Sequence, residues 1–284
     1  MNIILNKELV IVIVLFKPTL EQLHRIEFLS SYYDLIVVDN TPIALKSEFQ
    51  ISIKNGEYIA LNENKGIAFA QNTAIELVMS KGKKYILFLD QDTDVDFTYP
   101  VTIFLNLKKM ELKDSRIVAL GPMILDKETH KPYKYYSTKQ FDENIILSPT
   151  LISSGTISPI WAFQKIGMMD EKLFIDYVDH EWCWRANSKG YICCMDLRLK
   201  MEHKVGYKTA YCFGFPYLLA SPFRYFYQYR NSIWLQKRKY VPFTWKVKTF
   251  IRNIIGIFYI PFVSVSPFSC LQYMVKGILA GIFK

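Results

Sequence analysis

Residues 9–16 are an unbroken apolar run of Leu, Val and Ile that ends in Phe16. A run of that length reads as a strand buried on both faces of a sheet. Leu20, Leu23, Ile26 and Leu29 then recur at helical spacing and predict a helix over 20–31. A short strand over 35–38 ends in Asp39-Asn40, and another is expected at 58–61. Ile67, Ala70, Ala74, Leu77 and Val78 mark a helix over 66–79, followed by a strand over 85–89. One more helix begins near residue 100, ahead of a strand at 117–120. Strand and helix signals in alternation predict an α/β fold with a mostly parallel sheet flanked by helices.

The pattern is less regular from 121 to 202. It predicts a strand over 146–154 entering the turn Ser153-Ser154-Gly155, a short helix over 161–166, a longer one around 178–187 and a last strand over 191–196. No repeat and no Gly/Ser/Pro linker divides these segments. Residues 1–205 therefore read as one domain with two halves, 1–120 and 121–205, followed by a distinct region over 206–284.

Charge sets that last region apart. The chain has 284 residues and a formal net charge of +9, yet its last acidic residue is Glu202. From His203 onward there are twelve Lys/Arg and no carboxylate, which leaves 23 basic against 26 acidic residues before it. The same segment holds 21 of the 44 aromatic residues. Between Arg252 and Lys276 lie 23 residues without a formal charge, a length that could just span a bilayer. Gly256, Pro261, Pro267 and Gln272 weigh against a simple spanning helix. The expectation is a broken pair of helices lying in the membrane interface, with Lys and Arg at headgroup level. Such apolar stretches exclude a nucleic-acid partner, which needs water-exposed basic surface. The five cysteines form no CxxC pair, so neither a disulfide framework nor a zinc site is expected and a reducing cytosol fits. The first apolar run, preceded by Glu8 and stopped by Lys17-Pro18, reads as a buried strand and not a signal peptide.

The chemistry concentrates after the strand over 85–89, where the chain runs into Asp90-Gln91-Asp92. Ligands in open α/β sheets collect at the carboxyl ends of the strands. Hard oxygen donors there suit a divalent cation that also binds substrate phosphates. The competing reading is an acidic surface turn. Asp94 and Asp96 read as solvated loop charges.

Four features stand in order: Asp39-Asn40 after a strand, the loop Asn62-Glu63-Asn64-Lys65-Gly66 opening a helix, Asp90-Gln91-Asp92, and the stretch Asp176-Tyr177-Val178-Asp179-His180-Glu181-Trp182. Together they resemble the family 2 glycosyltransferases of GT-A fold, and within them the bacterial rhamnosyltransferase branch. The resemblance covers roughly residues 8–206. It implies a Rossmann-like mixed sheet, a nucleotide-sugar half over 1–120 and an acceptor half over 121–205, to which the composition of 206–284 adds a helical membrane-associating region. By the same resemblance Asp39 contacts the nucleobase, while a turn or cap role is the competing reading. Asn64, Lys65, Gly66 and Asn72 lie near the nucleotide, with the helix N-terminus favouring its phosphates. Asp92 is the direct ligand of Mn²⁺ or Mg²⁺, and Asp90 is a ribose or outer contact. Asp179 is the general base that takes the proton of an attacking sugar hydroxyl. Asp176 and Glu181 are near enough to exchange roles with it. His203, in His203-Lys204-Val205-Gly206, would complete the metal site or be structural. Trp182 is a platform for acceptor sugar or, as is more usual for such a tryptophan, part of the core, and Arg230-Asn231 meets a diphosphate unless it anchors to the membrane.

The resemblance implies an inverting, metal-dependent transferase of L-rhamnose from dTDP-L-rhamnose to a lipid-linked oligosaccharide. It would work peripherally at the cytoplasmic face of a bacterial inner membrane, in O-antigen, capsule or related polysaccharide synthesis, with oligomers possible. A UDP-hexose donor is the first alternative. A nucleotidyltransferase is a further one, although Leu15-Phe16-Lys17-Pro18-Thr19 lacks the Gly-rich loop that class carries after its first strand.

Overall fold

The computed structural model describes residues 7–45, 51–127, 130–132, 139–203, 208–212 and 215–283, with backbone alone for 203, 208–212 and 215–218. Strands β1 (Leu9–Leu15), β2 (Leu35–Asp39), β3 (Gly56–Ala60) and β4 (Tyr85–Asp90) run parallel in the order β3-β2-β1-β4. Helices α1 (Leu20–Ser30), α2 (Ile67–Ser80) and α3 (Tyr99–Glu111) connect or follow them. Thr19 and Gln22 form a reciprocal capping box that starts α1 where the sequence places it.

The rest of the sheet is mixed. β5 (Ile117–Asp126) is joined to β4 through the three-residue β8 (Ile157–Pro159), antiparallel to both. β9 (Ile192–His203) runs parallel to β5, and β7 (Ile145–Leu147) and β6 (Gln140–Asp142) close that edge antiparallel. The strand expected over 146–154 ends at Leu147, because Pro149 cannot continue a ladder. The chain crosses irregularly from there to β8, a strand too short to show an apolar pattern. β9 in turn runs seven residues past the expected end at 196.

Alternation along the parallel strands explains their unbroken apolar character. Val10, Val12, Ile36, Val38, Ile86 and Phe88 pack with α2, α4 (Ile160–Ile166) and α5 (Val178–Ser188) on one face. Leu9, Ile11, Ile13, Leu35, Val37, Leu87 and Leu89 pack with α1 and α3 on the other. Both faces are dry, so no polar position appears until the strands end. Register then sets the mouth of the sheet: Leu15 pairs with Asp39 and Val14 with Asp90. The backbones of Asp39 and Asp90 thus flank β1 within one residue of the same level, two strand spacings or about 10 Å apart. By alternation Asp39 follows Leu35 and Val37 toward the face that carries α1 and α3. Asp90 follows Ile86 and Phe88 in the alternation and lies on the face that carries α5.

After β9 come the hairpin of β10 (Lys208–Cys212) and β11 (Phe215–Leu219), then α6 (Pro222–Gln236), α7 (Phe243–Val263) and α8 (Pro267–Phe283). The break between α7 and α8 falls at 264–266, so the uncharged stretch is a pair of helices, as its prolines predict. Among the described residues no helix is long and apolar enough to cross a membrane. α6 is bonded into the first 202 residues. The wholly buried Asn231 amide donates to the carbonyls of Leu173, Ile175 and Asp176 at 2.8, 2.8 and 3.1 Å. Arg230 donates to Lys172 and Leu173 carbonyls at 2.7 and 3.0 Å. Just beyond α6, Arg238 pairs with Asp170 and Glu181.

Asn231→Leu keeps the volume but removes the partner of three carbonyls, each costing about 1–3 kcal/mol if left unsatisfied. Some relaxation is expected, so the loss should be about 3 kcal/mol in denaturant unfolding. A loss below 1 kcal/mol would mean that the segment it holds is maintained by something else.

Candidate active site

Three loops are stitched together at the carboxyl ends of β1, β2 and β4. The Gln91 side-chain oxygen accepts from the Phe16 amide at 2.7 Å, and its amide donates to the Phe16 carbonyl at 3.2 Å. The Lys17 amide donates to the Thr41 hydroxyl at 2.8 Å. The middle residue of Asp90-Gln91-Asp92 is therefore a strap holding the β1 loop, a role that its place between two carboxylates hides in sequence.

Asp39 is buried and accepts from the Thr41 amide at 2.9 Å and the Tyr58 hydroxyl at 2.5 Å. The turn contact expected as its alternative role is present. Burial, and then the Asp39 charge, push the Tyr58 phenol far up, so it stays a donor.

The Asn64 side-chain oxygen accepts from Asn40 at 2.9 Å and from the Gly66 amide at 3.1 Å, while Asn40 accepts from the Lys65 amide at 2.8 Å. These bonds fix the loop onto β2. Lys65 pairs with Glu63 at 2.8 Å and lies over the Phe69 ring.

Two of the expected nucleotide contacts serve packing instead. Gly66 has φ +89, and a Cβ there would come within 2.6 Å of the Phe174 ring and carbonyl. The glycine is required by Phe174, whose carbonyl also accepts the Ile67 amide at 2.7 Å and so occupies the start of α2. Asn72 donates to the Met169 carbonyl and Glu171 at 3.0 and 2.8 Å and accepts from the Met169 amide at 2.9 Å. Both of its donors are engaged in fastening α2 to residues 169–171.

The acidic residues divide by their partners. Asp176 holds Arg224 at 2.5 Å. Glu181 is 1% exposed and takes Arg185 at 2.9 Å, Arg238 at 3.0 Å and the Tyr240 hydroxyl at 2.5 Å. Both are neutralised and fixed. Asp179 accepts only amides among the described residues: Ser153 at 3.2 Å and its neighbour His180 at 2.8 Å. The next residue of that turn, Ser154, together with Thr93, caps Asp90: both hydroxyls lie 3.1 Å from the Asp90 amide. One turn, 153–154, thus brings the end of β4 to the start of α5. The consequence is electrostatic. Burial, then the charges of Asp92 and Asp179, push the Asp90 carboxyl up to about 7.

Asp92 is exposed beside it, and Asp96 caps Thr98 at 2.8 Å outside the cluster. Asp90 and Asp92 offer hard oxygen donors in a site without a paired cation, a donor set that fits Mn²⁺ or Mg²⁺ bound together with a diphosphate. Among the described residues no three His, Cys, Asp or Glu side chains converge tightly enough to hold an ion alone. The backbone of His203 closes β9, and its side chain lies outside the described residues.

Two other expectations change. Trp182 is 3% exposed, donates to the Gly167 carbonyl at 2.9 Å and packs on Phe163, so it is core and not a sugar platform. Arg230 donates through Nη2 to the carbonyls of 172–173 and stacks on Tyr227 and Trp234, so these contacts fasten α6 to that segment. The cation that pairs with Asp176, just before α5, is Arg224, which no sequence motif marks.

No family model matches the chain. It is 31% identical to the dTDP-rhamnosyl transferase RfbF of Shigella flexneri over 97% of this chain and 95% of that protein. Its fold is similar to that of GalNAc-T7, crystallised with UDP, GalNAc and Mn²⁺, with a TM-score of 0.55 and 13% identity; the match covers 95% of this chain and 55% of the other. With the Asp-Gln-Asp turn and the α5 carboxylate meeting at the mouth of the parallel strands, and that identity across almost the whole of both chains, the chain belongs to the family 2 glycosyltransferases of GT-A fold, in their bacterial rhamnosyltransferase-like branch.

Proposed function

We propose that this glycosyltransferase moves L-rhamnose from dTDP-L-rhamnose, with inversion, to a hydroxyl of a lipid-linked oligosaccharide at the cytoplasmic surface of the inner membrane. The donor follows the name of the Shigella relative. The observation that carries the mechanism is the pairing pattern of the α5 carboxylates. Asp176 and Glu181 are held by Arg224 and by Arg185 with Arg238, whereas among the described residues Asp179 is held by amides alone. It is the one of the three that can accept a proton without breaking an ion pair.

In this reading Asp179 removes the acceptor hydroxyl proton as that oxygen attacks the anomeric carbon. The bond from that carbon to the diphosphate breaks, and dTDP leaves with the electron pair. A single displacement with one base inverts the centre. In the same reading Asp39 accepts the imide N–H of thymine and Asp90 serves the ribose or the outer side of the metal site, their backbones about 10 Å apart across β1. Asp92, with Asp90, would hold a Mn²⁺ or Mg²⁺ ion. When bound, that ion supplies positive charge to the leaving diphosphate.

Asp179→Asn should lower kcat about a hundredfold or more with little change in donor KM. Glu181→Gln should instead lower the melting temperature, since it strips Arg185 and Arg238 of their partner. The reverse pattern would move the base to Glu181. Transfer from UDP-hexoses with none from dTDP-L-rhamnose would reject the proposed donor.

The Asp90 environment gives a pH signature. A carboxyl raised to about 7 binds a proton in the folded state that the unfolded chain has released, so folding loses stability as pH climbs from about 4 to 7. Asp90→Asn, neutral throughout, should melt above wild type at pH 8, with the gap closing toward pH 4 when no divalent ion is present. Added Mn²⁺ should raise the wild-type melting point most above pH 7, where both carboxylates are charged. An equal Mn²⁺ shift in Asp92→Asn would remove Asp92 from the metal site.

A further inference from the structure

The last two helices are packed on one side only. Ile260, Cys270 and Met274 turn inward to a small core with Tyr225 and Tyr229 of α6. α8 approaches α6 so closely that a Cβ on Gly277 would come within 2.4 Å of the Phe226 carbonyl. The opposite sides carry Phe250, Ile254, Phe258 and Phe262 on α7 and Phe268 and Leu279 on α8, with Phe262 and Phe268 each 87% exposed. On α7 the buried Thr249, Gly256 and Ile260 lie half a turn from this stripe. Since both helices direct their buried sides to one core, their apolar sides form one outward surface. Soluble monomers seldom expose so many large apolar side chains together.

We infer that this face of the α7–α8 hairpin is a docking surface for an anionic lipid bilayer, lying in its interface. Charge selects the occupant. Lys248 and Lys276 are exposed beside the stripe, and the sequence has no carboxylate from 203 to 284. A second copy docked by a two-fold axis would set these basic side chains against their own copies. Anionic headgroups complement them, at about 1 kcal/mol per Lys or Arg near the surface, and acyl chains take the aromatic stripe. No described helix is long and apolar enough to cross, so the hairpin lies on the membrane.

The surface also has an orientation relative to the site. Arg252 donates to the Tyr177 hydroxyl, and Trp245 packs on Tyr177 and Trp184 with ring centroids 5.3 and 4.8 Å apart. Tyr177 is two residues before Asp179. A bilayer on the far side of α7 therefore lies about one helix diameter, roughly 10 Å, from the Tyr177 ring, on the side of the molecule that carries the start of α5. This deepens the reading of a lipid-linked acceptor, but its test does not depend on which sugar is moved.

The full chain should float with vesicles of phosphatidylcholine containing a third phosphatidylglycerol, less with phosphatidylcholine alone, and less again at high salt. Phe258→Asp with Phe268→Asp should cut vesicle binding at least tenfold while leaving circular dichroism, melting temperature and donor hydrolysis unchanged. Lys248→Glu with Lys276→Glu should remove the preference for anionic vesicles and spare the remainder. The inference is overturned if wild type does not float, or if it forms a discrete soluble dimer that the Phe258/Phe268 variant dissociates, which would assign the face to a second copy. Loss of flotation accompanied by loss of fold in the double variant would count against a surface role for the two phenylalanines. Flotation without transfer from dTDP-L-rhamnose would leave this surface standing and overturn only the donor.

Discussion

Between Leu173 and Val178 the backbone takes positive φ at Phe174, Asp176 and Tyr177, a conformation that costs residues with a Cβ about 1–3 kcal/mol each. It persists because the Asn231 amide and the Arg230 guanidinium collect the carbonyls of 172–176 from one side. Much of the site follows from that constraint. The Phe174 carbonyl meets the first amide of α2 and forces glycine at 66. Asp176 is turned to Arg224. Tyr177 becomes the N-cap of α5 and sets the helix so that Asp179 reaches the 153–154 turn. The strain is stored beside the chemistry and offset by a helix that belongs to the C-terminal region in sequence.

Carboxylates in this protein have two fates, and packing sorts them. Those that tie the C-terminal helices to the sheet domain, Asp170, Asp176 and Glu181, each hold an arginine. Those at the mouth of the sheet hold none among the described residues, and their mutual repulsion is visible in the raised Asp90. A concentration of unneutralised negative charge is unfavourable to the empty protein and favourable to a cation that arrives with its diphosphate. The positive charge of the chain is segregated in the opposite sense, onto the C-terminal helices. One molecule thus presents an anionic pocket to its donor and a cationic, apolar face elsewhere.

The fold was readable where periodicity is strong. Parallel strands buried on both faces leave no polar position, and the alternating helices have caps and stripes that local chemistry enforces. The same reasoning failed at β8, where three residues joined antiparallel between β4 and β5 have no pattern of their own. For the site, the motif Asp90-Gln91-Asp92 and the stretch around Asp179 were legible as chemistry because acids after an apolar strand need an explanation. Gly66, Asn72, Trp182 and Arg230 stood at sites that suit ligand contact equally well, yet each is engaged by a segment remote in sequence: Phe174, Met169, Gly167 and the carbonyls of 172–173.

By itself the sequence determined the order of elements through β4, the ends of those parallel strands to within a residue or two and the segregation of charge, since these depend on periodicity and composition along the chain. Which of three neighbouring acids stays unpaired could be decided only in three dimensions. Asp176, Asp179 and Glu181 are equivalent in a linear string, and arginines at 185, 224 and 238 choose between them through the packing of α5 against α6 and the segment beyond it. Whether an apolar tail turns its aromatic side chains inward or outward was likewise beyond the string. Gly277 admits α8 so close to α6 that one side of the hairpin is filled, and the other side is left to face whatever lies outside.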